Sequence, residues 1–147
     1  MKLCMNEMMF CLKHGGGFPD TELVTGGAVG MAESQGETDA IGRLAGADAI
    51  LDNEDLGWMM ISTKWHEQKV IDLVGQNWRD PYVNAKLARA VFLEFVSKPG
   101  GGWTAWAAFN SKAYEKWLPM ARSAASHLWA PSPSGDYMVQ MRDLATK

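Results

Sequence analysis

Glu33 and Asp55 are the residues of this chain whose types and settings could do chemistry together. Glu33 stands in Gly30-Met31-Ala32-Glu33-Ser34-Gln35-Gly36, near the C-terminal end of a segment that reads as a helix. Pro19 suits a first-turn position, Asp20 favours the positive end of the dipole, and Val24, Ala28 and Met31 form an apolar stripe. A carboxylate at the far end of such a helix meets the negative pole, and apolar neighbours desolvate it, so both effects raise its pKa. A glutamic acid still protonated near neutral pH is a proton donor. Asp55 opens a different setting, Asp55-Leu56-Gly57-Trp58-Met59-Met60-Ile61-Ser62. There a glycine and an apolar run predict a turn into a buried segment, with Asp55 ionised at its solvent edge. One protonated and one ionised carboxyl make a pair that cleaves glycosidic bonds: the first protonates the leaving oxygen, the second stabilises or attacks the cationic sugar carbon. On position alone, Glu33 reads better as an ordinary solvated residue near a helix terminus, and Asp52, Asn53, Glu54 and Asp55 read equally as a polar turn.

The helix that would carry Glu33 contains Gly26, Gly27 and Gly30, each costing about 1 kcal/mol against alanine in a helix interior. Close approach of neighbouring elements compensates for that, which predicts a central helix buried on several sides and a rigid mount for the acid. Further helices are expected near residues 3–14, 19–34, 66–75, 81–97, 104–109 and 112–128, with Asp80-Pro81 giving the clearest start. Residues 35–56 carry glycine and acidic residues without sustained periodicity, and are expected to form an irregular or β-hairpin lobe that walls one side of a cleft. The fold class is therefore mainly α, of an α+β kind. An N-terminal helix (1–17) packs on a domain of residues 18–128, and Pro131-Ser132-Pro133-Ser134-Gly135 opens the linker and tail (129–147). There is no internal repeat.

A chain of 147 residues with 47% hydrophobic content makes one domain and has room for one site. Seven tryptophans are many for this length; flat indoles stack on the apolar faces of sugars, and their N–H reaches hydroxyls. Trp58, Trp65, Trp103 and Trp106 are the cleft candidates, at least half of them expected in the core, while Trp117 and Trp129 pack late helices. The net charge of −3 and the lack of a basic run argue against a nucleic-acid partner. Cys4 and Cys11 fit no metal knuckle or redox motif and are expected to share a buried face as thiols. His14, His66 and His127 are scattered, which speaks against a metal site or a Ser-His triad, and no cofactor is implied. Gly15-Gly16-Gly17 and Gly100-Gly101-Gly102 lead into no Gly-Lys-Ser/Thr and read as turns. Asn6 and Glu7 interrupt the apolar Met1–Leu12 stretch, so no signal peptide is expected, and no run is long enough to insert in a membrane.

Four motifs in order resemble the lysozyme-like superfamily of peptidoglycan-cleaving enzymes, in particular the versions carried by phages of Gram-positive bacteria. The helix ending in Ala32-Glu33-Ser34 resembles the family's catalytic-acid helix, and Asp55 to Ser62 its acid-Gly-aromatic-X-Gln-Ile segment, followed by Trp65-His66. Asp80-Pro81-Tyr82-Val83-Asn84-Ala85 resembles the Asp-Pro-x-x-Asn-Ala helix start, and Trp103-Thr104-Ala105-Trp106-Ala107-Ala108-Phe109-Asn110 the Trp-rich segment. Together they cover residues 18–125. The resemblance implies a lysozyme-like fold and cleavage of the β-1,4 bond between N-acetylmuramic acid and N-acetylglucosamine. It makes Glu33 general acid and then base, and Asp55 stabiliser or nucleophile, a division for which lysozyme is the type case. It places Ser34, Trp58, Met60, Ser62, Trp65, Trp106, Phe109 and Asn110 on the glycan strand. It implies phage virion or tail proteins as partners, with action at the bacterial wall after delivery by a particle or through host lysis. One departure stands out: Met60 occupies the family's glutamine position and cannot make comparable hydrogen bonds. An altered cleft, a different glycan preference, or a module that binds walls and cleaves poorly would follow. A lytic transglycosylase, in which the sugar's own hydroxyl replaces water, is the rival within enzymes.

Overall fold

Missing methyl groups decide where the central helix sits. In the computed structural model, which describes residues 1–43, 54–62, 66 and 77–126, Pro19 leads into a 3-10 turn at Asp20–Glu22 and then helix α2 (Leu23–Ser34). A Cβ on Gly26 would lie 2.7 Å from both Leu12 and Trp103, one on Gly27 2.8 Å from Met9, and one on Gly30 2.6 Å from Trp58. The three glycines are thus contact surfaces for four neighbouring side chains, and the packing offsets their cost in helix propensity. Helix α1 (Met5–His14) lays Met5, Met8, Met9 and Leu12 into this core. Cys11 joins them, but Cys4 is the exposed N-cap residue of α1, so the two thiols do not share a buried face. The seven-residue spacing brings them to one side only within a helix, and Cys4 stands just before it.

Helix α3 (Pro81–Phe95) begins as the sequence predicts. Asp80 accepts hydrogen bonds from the backbone N–H groups of Tyr82 and Val83, and Pro81 fills the first turn, where a missing N–H costs nothing. Asn84, Leu87, Ala88, Val91 and Phe92 face the core. The expected helix over 104–109 is instead split at Trp106, whose extended backbone separates a 3-10 turn (Gly102–Ala105) from helix α4 (Ala107–Asn110). The segment expected as 112–128 also starts late: a 3-10 turn at Glu115–Trp117 precedes helix α5 (Leu118–Ala125), with Pro119 in its first turn.

The lobe beside the helices is a three-stranded antiparallel sheet, in the order β1 (Ile41–Arg43), β2 (Glu54–Leu56), β3 (Ile61–Ser62). Its register pairs Asp55 with Gly42 on one side and Ser62 on the other, so the acid lies in the central strand rather than at a turn. The architecture is mainly α with this small β lobe, in line with the α+β reading. Of the helix expected at 66–75 only His66 is described, while Trp65, Trp129, His127 and the 129–147 tail lie outside the described residues. Among the described residues no helix is long and apolar enough to cross a membrane.

Candidate active site

The turn Gly57–Met60, which joins β2 to β3, is the joint on which the site is built. Gly57 has φ +79°, open to glycine at no steric cost, and a Cβ there would collide with the Asn84 amide. The Met60 N–H closes the turn on the Gly57 carbonyl at 2.9 Å. Asn84, fully buried on α3, then uses its whole amide: Nδ2 donates to the carbonyls of Leu56 and Trp78, both at 3.1 Å, and Oδ1 accepts the Met59 N–H at 2.9 Å. Trp58 Nε1 donates to the Pro81 carbonyl at 3.0 Å, and Trp106 Nε1 to the Met59 carbonyl at 2.7 Å. From the other side the Ser34 hydroxyl donates to the Trp58 carbonyl at 2.6 Å. Three separate segments, α3, Trp106 and Ser34, therefore hold the peptide that follows Asp55, and one of them is the residue next to Glu33.

This bracing brings Glu33 and Asp55 to one open cleft of about 600 Å³, a size suited to sugar rings. Glu33 Oε1 accepts the Ala108 N–H at 3.0 Å, which fixes the side chain across from the sheet. Burial pushes the Glu33 carboxyl above the ordinary glutamate range and the neighbouring Asp55 charge pushes the same way, against the Ala108 hydrogen bond. Asp55 is raised as well, chiefly by burial, with a hydrogen bond to Ser62 opposing. The expected solvent edge is therefore a half-buried strand position. The two carboxyls differ in what surrounds them: aspartate starts from the lower ordinary value, and Glu33 is raised first by burial and further by the Asp55 charge.

The other residues implied by the resemblance divide by position. Met60, Ser62 and Trp106 line the cleft. Ser34, Trp58, Phe109 and Asn110 are not among its lining residues. Ser34 and Trp58 belong to the bracing just described, Phe109 stacks on Tyr114 with ring centroids 4.9 Å apart, and Asn110 Nδ2 donates to the Thr104 carbonyl at 2.7 Å. Trp103 is also in the core, its indole donating to Glu22 at 2.7 Å. Sequence reasoning did not foresee the opposite wall, formed by Val91, Glu94, Phe95 and Lys98 with His66 against Glu94 at 3.7 Å. Its signal was present, since 91, 94, 95 and 98 repeat at helical spacing on one face.

The burial of Glu33 carries a stability cost that pH reveals. Because the folded state raises its pKa, the fold binds that proton more tightly than the unfolded chain does. The contribution is fully present below the unfolded value and is lost as pH rises through the folded value. Glu33→Gln keeps an acceptor for the Ala108 N–H and carries no charge. It is expected to melt above the parent at neutral pH, with the gain fading as the pH falls below the ordinary carboxylate range. Thermal unfolding across pH reads this directly, and an equal gain at acid and neutral pH would mean that charge burial is not its origin.

Comparison with protein families matches residues 12–108 to a model described as a lysozyme-like domain. No curated protein and no solved structure gives a match.

Proposed function

Because the chain belongs to the lysozyme-like domain family, we propose that its cleft cleaves the glycan strands of peptidoglycan at the β-1,4 bond between N-acetylmuramic acid and N-acetylglucosamine. The family supports a peptidoglycan-acting enzyme in general terms. The observation that carries the finer reading is the meeting of two carboxyls in one cleft, Glu33 raised by burial and by the Asp55 charge, Asp55 by burial against a Ser62 hydrogen bond. Glu33 gives its proton to the glycosidic oxygen as the bond to the anomeric carbon breaks, and Asp55, already ionised, stabilises the cationic sugar or bonds to it. Glu33, now a carboxylate, takes a proton from the incoming water, whose oxygen bonds to the anomeric carbon, and both carboxyls return to their starting states. Trp106 and Ser62 supply an aromatic wall and a hydroxyl to the bound strand.

Delivery to the wall by a phage particle, or through host lysis, fits a chain of net charge −3 that gains no general attraction from an anionic wall. Digesting purified peptidoglycan and weighing the soluble products tests the reaction. Hydrolysis leaves reducing muramic ends, whereas transglycosylation leaves anhydro ends one water lighter. Reducing ends are the expected product, and anhydro ends alone would replace water by the sugar's own hydroxyl. Binding to the wall with no release of glycan would assign the chain to wall attachment instead.

A further inference from the structure

Met60 has a backbone that its type does not favour and a side chain in a place only a missing neighbour allows. Its φ is +50°, in the left-handed region that costs a side-chain-bearing residue on the order of 1 kcal/mol or more. The turn holds this conformation through the Met60 N–H on the Gly57 carbonyl and through four hydrogen bonds that fix the two residues before it, Trp58 and Met59. What this conformation achieves lies across the sheet. A Cβ built on Gly42, the register partner of Asp55, would sit 2.7 Å from the Met60 methyl carbon and 3.6 Å from Asp55 Oδ2. The empty position at Gly42 is thus a socket shared by the methionine tip and the catalytic aspartate, and both residues line the cleft.

We propose that Met60 is a positioning residue: its thioether, seated in the Gly42 socket, covers the Asp55 carboxylate and keeps water from one of its oxygens. The proposal rests on the reading of Asp55 as the second carboxylate of the reaction. An apolar cover makes the surroundings of Asp55 dry, which strengthens its Coulomb attraction to a developing sugar cation and its repulsion of Glu33 ionisation alike. It also leaves Ser62 as the polar group that holds the carboxylate in place from the neighbouring strand. Burial is the leading cause of the raised Asp55 pKa, and Met60 is an apolar group placed to supply it. Among the described residues the other charged groups lining the cleft are Glu33 on α2, His66, Glu94 on α3 and Lys98 beyond its end, and the atoms nearest the Gly42 socket belong to Met60 and Asp55.

Two substitutions should uncover Asp55 by different routes. Met60→Gln keeps the chain length and puts a polar amide in the socket. Gly42→Ala fills the socket, displacing a flexible methionine tip while meeting Asp55 only at ordinary contact distance. Met60→Leu keeps the cover apolar. The carboxyl carbon of Asp55, followed by NMR through a pH titration, gives the readout without requiring turnover, so failure of the protein to cleave peptidoglycan would count against the proposed reaction and leave this test intact. The expected result is a fall in the Asp55 pKa in Met60→Gln and in Gly42→Ala, with Met60→Leu close to the parent. Thermal unfolding of each variant accompanies it, since a residue that merely fills space would change melting without moving the titration. An Asp55 titration unmoved in both Met60→Gln and Gly42→Ala would overturn the proposal, as would a shift in Met60→Leu as large as in Met60→Gln.

Discussion

Glu33→Gln is expected to lose about a thousandfold or more of the rate of glycan release from purified peptidoglycan, while keeping the fold. The glutamine matches the glutamate in shape and still accepts the Ala108 N–H that fixes the side chain at 3.0 Å. What it lacks is a proton to give. The leaving alkoxide of a sugar is too basic to depart unaided at neutral pH, and a positioned acid contributes about two to four powers of ten. Loss of the carboxyl also removes the base for the water step, which places the expected effect in the upper part of that range. Release of soluble fragments over time, with the two proteins at equal concentration, reads the ratio. Equal rates would take Glu33 out of the reaction altogether.

The largest effect on stability is expected at Asn84, which touches no substrate. Asn84→Ala strips partners from the Met59 N–H and from the carbonyls of Leu56 and Trp78, all bonded by one fully buried amide. Each buried group left without a partner costs about 1–3 kcal/mol, so the loss should reach about 3 kcal/mol or more, and melting should fall by about 10 °C. Asn84→Asp is no remedy, because its carboxylate keeps the acceptor for Met59 but faces two carbonyl oxygens with no hydrogen to offer. Below its melting temperature the alanine variant should also cleave more slowly, since the turn it loosens follows directly on Asp55. A melting temperature unchanged from the parent would mean that the remaining braces, from Ser34, Trp58 and Trp106, hold the turn without it.

How far the sequence announced this arrangement depends on whether the signal was local. The acid helix was legible because its three glycines demanded neighbours, and Leu12, Met9, Trp103 and Trp58 are those neighbours. The start of α3 was legible because Asp80 and Pro81 act within one turn of themselves. The break at Trp106 was not, since its cause is an indole reaching the Met59 carbonyl from 47 residues away. Ser34 misled for a related reason. A hydroxyl beside a catalytic acid looks available to a substrate, yet its partner is the Trp58 carbonyl, brought near only by the packed hairpin. Asp55 was located in sequence but not in environment, because strand pairing with Gly42 and Ser62, rather than the polar run before it, sets how much water it meets.

Everything proposed for the cleft turns on Glu33 holding its proton while Asp55 has lost one. Carboxyl-carbon NMR of Glu33 through a pH titration, in the parent and in Asp55→Asn, measures this without substrate. Glu33 should titrate above the ordinary glutamate value in the parent and move down when the Asp55 charge is removed, burial alone then keeping it raised. A Glu33 that titrates at the ordinary value in the parent would be an anion at neutral pH with no proton to donate, and the cleft would not be the acid-catalysed site described.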